Sequence, residues 1–108
     1  MSLLAELKGI AESLDIPVET GVFSDIAPDE YIVLTPMTDT LNSPILDIQE
    51  VRISLYTKNN YTERKNQLTE KLLKAEITIT DRRYIGHEDD TGYHHYAIDT
   101  ANFYETEE

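Results

Sequence analysis

Three histidines, His87, His94 and His95, fall within nine residues of one another and beside Glu88, Asp89 and Asp90. Imidazole and carboxylate together are metal-ligand chemistry. The spacing argues against it. His94 and His95 are adjacent in an extended segment, so their side chains point to opposite faces and only one can join a given neighbour. The expectation is solvated hairpin histidines and no metal. Asp90-Thr91-Gly92 spells the triplet of aspartic proteases, in which two carboxylates share one proton. That chemistry needs an apolar setting, and here Glu88 and Asp89 precede the triplet. Asp and Gly at this place read as a hairpin turn. No phosphate-binding glycine loop, G-x-S-x-G or H-E-x-x-H is present, so the chain reads as a non-enzyme without cofactor. Seven tyrosines remain, and they suit either strands or a protein interface.

The charge narrows the partners. Twenty-one acidic against nine basic residues leave a net charge of −12 over 108 residues. Neutralising phosphates needs clustered Lys and Arg, which speaks against sequence-specific nucleic-acid binding and against an anionic membrane surface. There is no cysteine, so disulfides, thiol nucleophiles and Cys-based zinc sites are excluded. No apolar run approaches the ~20 residues of a membrane span. The N-terminus lacks a basic region and reads as no secretion signal, so the expected compartment is the cytoplasm.

The elements that must position these residues follow from periodicity. Leu3, Leu4, Leu7, Ile10, Ala11 and Leu14 form one helical face, with Ser2 as N-cap and Pro17 as the stop. Val18 to Phe23 reads as a short extended piece, Ala27-Pro28-Asp29 as a turn, and Tyr31 to Thr35 as a strand ended by Pro36. Thr38 to Pro44 is polar and reads as an exposed loop. Glu50 to Thr57 alternates, with Val51, Ile53, Leu55 and Thr57 on one face and Glu50, Arg52, Ser54 and Tyr56 on the other. Asn60 caps a second helix running to Ala75, with Glu63 completing a capping box. Tyr61, Leu68, Leu72 and Ala75 make its apolar stripe, and Glu63, Arg64, Lys65, Lys71 and Lys74 its solvated side. Ile77 to Ile85 alternates again, with Ile77 and Ile79 inward. Gly86 to Gly92 is a polar tip, and Tyr93 to Tyr104 returns as the last strand of an antiparallel hairpin.

Helix, two or three strands, helix and two strands make a two-layer α+β sandwich of order α-β-β-β-α-β-β. The sheet is expected to be mostly antiparallel, with both helices packed on one face. Residues 1–104 form a single domain, and 105–108 an acidic tail that frays.

The chain resembles the tail-completion or tail-terminator proteins of long-tailed bacteriophages and prophages. The resemblance rests on the opening amphipathic helix Leu3 to Leu14, and on Gln49-Glu50-Val51-Arg52-Ile53-Ser54-Leu55-Tyr56-Thr57-Lys58 running into the helix capped by Asn60. It continues through Asp81-Arg82-Arg83-Tyr84, the tip Glu88-Asp89-Asp90-Thr91-Gly92, Tyr93-His94-His95-Tyr96-Ala97-Ile98-Asp99, and the closing Phe103-Tyr104. It implies a virion structural protein forming a ring, usually a hexamer, at the head-proximal end of the tail. Such a ring ends tube growth and meets the head-side connector. Its implied partners are its own copies, the tail-tube protein and connector proteins, in the bacterial host cytoplasm during assembly and in the virion neck afterwards. Six copies at −12 each would suit a lumen along which DNA slides without sticking.

Two segments are expected to contact partners: the loop Thr38 to Leu46, with Thr38, Asp39, Thr40 and Asn42, and the tip with His87, Glu88, Asp89 and Asp90. The Arg52 and Tyr56 face of the 50–57 strand could join a neighbour's sheet as an edge strand. The alternatives are a head-closure or connector-adaptor protein of the same neck region, and a small host regulatory or ligand-binding domain, which predicts a pocket lined by several polar groups.

Overall fold

A computed structural model describes residues 2–21, 28–43 and 46–105, with the backbone alone at 38–43, 46 and 105. The elements follow the order α1 (Leu3–Ser13), β1 (Val18–Thr20), β2 (Glu30–Ser43), β3 (Leu46–Thr57), α2 (Tyr61–Lys74), β4 (Thr78–His87) and β5 (His94–Glu105). The fold is α+β, with two helices against a five-stranded, mostly antiparallel sheet.

Both helices begin and end on local chemistry. Ser2 Oγ accepts the Ala5 amide, and Asn60 Oδ1 accepts the Glu63 amide, each satisfying a donor that the first helical turn leaves free. Both close in the same way. Asp15 and Glu76 sit in the left-handed region, at φ +58° and +59°. The Ile16 amide reaches Ala11 O and the Ile77 amide reaches Leu72 O, the six-to-one bond of a Schellman motif. Ile16 and Ile77 are then buried at 2% exposure, so each helix exit drives an isoleucine into the core. This ends α1 before Pro17 is reached. Gln49 Oε1 accepts the Leu3 amide and fastens the start of α1 to β3.

The sheet order is β1-β2-β3-β5-β4. Among the described residues only β1 and β2 run parallel. The alternation in β3 is as expected: Val51, Ile53, Leu55 and Thr57 lie at 3% exposure or less. They meet Ile32 and Leu34 of β2, Tyr96 and Ile98 of β5, Leu3, Leu7 and Ala11 of α1, and Leu68 and Leu72 of α2 in one core. Both helices therefore cover the same sheet face. Burying each of the leucine, isoleucine and valine side chains among them stabilises the fold by about 1.5–3 kcal/mol.

The structure corrects four expectations. Thr38 to Ser43 is not a loop but continues β2, paired from Thr38↔Glu50 to Ser43↔Leu46. Pro36 does not end the strand. It lies beyond the last β1 partner, Leu34, and beside a register shift between Pro36 and Thr38, two places that tolerate a missing amide donor. Arg64 and Lys65 are not on a solvated side. Arg64 pairs with Glu30, and Lys65 lies over the Tyr96 ring. Ala75 is exposed at the α2 C-cap rather than part of the apolar stripe. Val22, Phe23, Ala27, Pro44 and the tail 106–108 lie outside the described residues.

Candidate functional site

Among the described residues nothing covers the sheet face opposite the helices, and alternation decides what that face displays. Tyr31 of β2, Tyr56 of β3 and His95 of β5 are register partners across three strands. Their rings form a column: Tyr31 stacks on Tyr56 at 4.8 Å, and Tyr56 on His95 at 4.2 Å. Tyr93 meets Tyr31 and Tyr56 edge-on, at 5.5 and 6.4 Å, and its hydroxyl donates to Pro28 O at 2.5 Å. Lys58 lies over the Tyr93 ring at 4.9 Å. Offset and edge-on aromatic pairs of this kind add about 0.5–1.5 kcal/mol each beyond their burial.

Electrostatics follow the packing. Burial raises the Tyr31 and Tyr56 phenols above their ordinary range and lowers the His95 imidazole below its own. Further along the same face Arg52 grips Asp99 with two bonds, Nε to Oδ1 at 2.7 Å and Nη2 to Oδ2 at 3.1 Å. That hydrogen-bonded pair lowers the Asp99 carboxyl and raises the Arg52 guanidinium. Beside it Arg83 bonds Asp81. Phe103, the register partner of half-buried Ile48, is 60% exposed.

Arg52 and Tyr56 therefore share this face, but the edge-strand reading for them is corrected. β3 pairs with β2 on one side and β5 on the other, so it has no free backbone edge. The outermost strands are β1 and β4, and among the described residues the Thr35–Ser43 stretch of β2 beyond β1 also has no strand partner on that side. Thr38, Asp39, Thr40 and Asn42 are on that stretch, and their side chains lie outside the described residues.

The tip gathers the other candidates. His87, Glu88, Asp89 and Asp90 are all exposed. The Glu88 amide donates to Tyr93 O at 2.8 Å, the Gly92 amide to Glu88 O at 2.7 Å, and Thr91 Oγ1 to Glu88 Oε1 at 2.8 Å. Gly92 has φ +82°, a conformation that favours glycine. Asp90 thus stands in water at a turn, without the apolar enclosure that a shared-proton dyad needs.

His94 and His95 do point to opposite faces, but of the three expected solvated histidines only His87 is exposed. His95 is half-buried in the column. His94 turns to the helix side, where its ring lies 4.6 Å from His87 and 4.8 Å from Tyr61, and Tyr84 Oη is 2.9 Å from its Nδ1. Among the described residues no group of three or more histidines and carboxylates could hold a metal. Nor is any helix among them long and apolar enough to cross a membrane. An open groove of about 470 Å³ between the helices is lined by Glu6, Ile10, Ser13, Lys71 and Lys74, and its surface is mainly apolar.

Sequence reasoning missed the column because its members lie 25 and 39 residues apart in the chain, from Tyr31 to Tyr56 to His95. Only the strand register could have revealed it. Among the described residues the site defines a two-layer α+β domain with one open, aromatic sheet face and unlike strand edges. Comparison with models of known protein families finds no match, and neither does comparison with curated proteins.

Proposed function

We propose that the chain is a non-enzymatic phage or prophage structural protein that forms a ring at the head-proximal end of the tail, ends tube growth and joins tail to head. The observation that supports this reading is the inequality, among the described residues, of the β4 edge and the edge formed by β1 with the Thr35–Ser43 stretch of β2. β4 is ten residues long and antiparallel to β2 through the intervening β5 and β3. A second copy offering its Thr35–Ser43 edge to β4 would extend the sheet antiparallel, with unlike surfaces meeting. Unlike surfaces give head-to-tail association, which closes into rings when the rotation allows. The register shifts in β4, after Ile79 and after Tyr84, shorten the stretch open to pairing and so restrain unlimited growth.

The open face supplies a second surface in this reading, with Phe103 exposed at one end and the aromatic column at the other. The tip and the face would meet the tail tube and the head-side connector. The net charge of −12 suits a lumen that repels DNA.

Light scattering on a sizing column, across protein concentration and salt, tests the proposal. Like-charged chains repel, and salt relieves this, so association should strengthen with salt. A discrete species near six times the 12.4 kDa chain mass, or co-sedimentation with tubes of the tail-tube protein from the same genome, is the expected result. A monomer under all conditions that also ignores those tubes refutes the reading.

A further inference from the structure

We propose that the aromatic column built on His95 is an acid-operated latch that holds the β4–β5 tip against the sheet. The tip is fastened through Tyr93. Its carbonyl accepts the Glu88 amide, its ring packs edge-on against Tyr31 and Tyr56, and its hydroxyl reaches Pro28. Tyr56 is the shared element, stacked on His95 on one side and on Tyr31 on the other. Moving the His95 ring therefore disturbs the surface on which Tyr93 rests.

His95 is poised to move because its Nε2 is buried without a hydrogen-bond partner. The neutral ring tolerates this as one unmade bond. A protonated ring carries a donor and a positive charge on the same buried edge, at a much larger cost. The groups that face it sort the outcome. Tyr56 presents its ring face. Arg52 of β3 repels an imidazolium, while Glu88 of the tip attracts one. Asp99 is already engaged by Arg52, and Lys58 lies over Tyr93. Gly86, the β4 partner of His95, brings no charge. Protonation therefore drives the ring out of the column toward the Glu88 side. Burial, opposed by Glu88 and helped by Arg52, holds the His95 imidazole below its ordinary range, so the transition falls on the acid side of neutrality. The segment released is the one carrying His87, Glu88, Asp89 and Asp90. The inference stands apart from ring formation, since it concerns one chain.

Amide hydrogen exchange by NMR, corrected for the intrinsic effect of pH, tests it. Between pH 7.5 and 5.0 the Glu88 and Gly92 amides should lose protection about tenfold or more, while the amides of α2 keep theirs. His95→Phe retains a stacking ring that cannot titrate, and should hold the tip amides protected at both pH values. Replacing His87 and His94 together by Gln should leave the loss in place. Flat tip protection in the natural chain, or the same loss in His95→Phe, overturns the latch. If His95→Phe does not fold, the natural chain decides. His95 ring resonances that titrate at the same midpoint as the Glu88 and Gly92 amide shifts support the latch, and separate midpoints overturn it.

Discussion

Arg64 offers the sharpest test of how the helix layer is held to the sheet. Its Nε donates to Glu30 Oε1 at 2.9 Å, and its Nη1 to Gln67 Oε1 at 3.0 Å and Leu14 O at 3.4 Å. Glu30 Oε2 in turn accepts Thr57 Oγ1 at 2.9 Å, and Thr57 is fully buried. One guanidinium thus joins α2, the end of α1 and β2. Arg64→Met keeps most of the apolar stem and removes the charge. An exposed ion pair would contribute at most about 1 kcal/mol. Breaking a buried one costs about 3–5 kcal/mol, because the surviving charge is left without a partner. Here the Arg64 and Glu30 side chains are 29% and 11% exposed, so the expected loss lies between these limits, at about 2–3 kcal/mol. For a domain of this size that lowers Tm by about 10 °C or more. Urea denaturation should show a lower midpoint with an unchanged slope. Adding Glu30→Gln removes the stranded charge, and should return about 1 kcal/mol or more. A loss under about 0.5 kcal/mol in Arg64→Met, or a double variant no more stable than the single, would refute the argument.

Three further outcomes follow from other contacts. Glu76→Gly should stabilise the fold by about 0.5–1 kcal/mol, since Glu76 holds φ +59° at a helix exit where glycine carries no Cβ penalty; thermal unfolding measures it. Asp99 is lowered by its bonds to Arg52, so the stability it contributes is present above its unfolded pKa of about 4 and is lost as pH falls through the lower folded value. Asp99→Asn should therefore be less stable than the natural chain at pH 7, with the difference shrinking below about pH 4 in denaturation across pH. Phe103→Ser alters a ring that is 60% exposed, so stability should change by less than about 0.5 kcal/mol while any association through the open face weakens in light scattering.

The parts of the fold that were legible are those in which the information is local. Ser2 and Asn60 announce their helices because a cap is a contact over three residues. Val51, Ile53, Leu55 and Thr57 announce a buried strand face because the side-chain period is two. The segment Thr38 to Ser43 was misread for the opposite reason. Asp39, Asn42 and Ser43 are turn-forming residues, yet backbone pairing to Leu46–Glu50 holds them extended, and backbone pairing is blind to side-chain type. Arg64 was misread because its partner Glu30 lies 34 residues upstream. Nothing in the helix itself distinguishes it from the neighbouring cations.

The candidate site divides along the same line. Opposite directions for His94 and His95 follow from alternation, and the structure places one ring among Tyr61, Tyr84 and His87 and the other on Tyr56. Both are half-buried, and what alternation leaves open is what each ring meets, because that depends on what the neighbouring strands carry in register. Tyr56 beside His95 makes a stacked column with an unpartnered nitrogen, whereas Thr57 beside His94 leaves that ring at the helix margin, with Tyr84 Oη near its Nδ1. The pairing register thus gives two adjacent, chemically identical side chains different neighbours, Tyr56 for one and Tyr61, Tyr84 and His87 for the other. For the same reason the open face is a better candidate surface than the polar tip alone: its groups are held by three strands, while the tip is held by Tyr93.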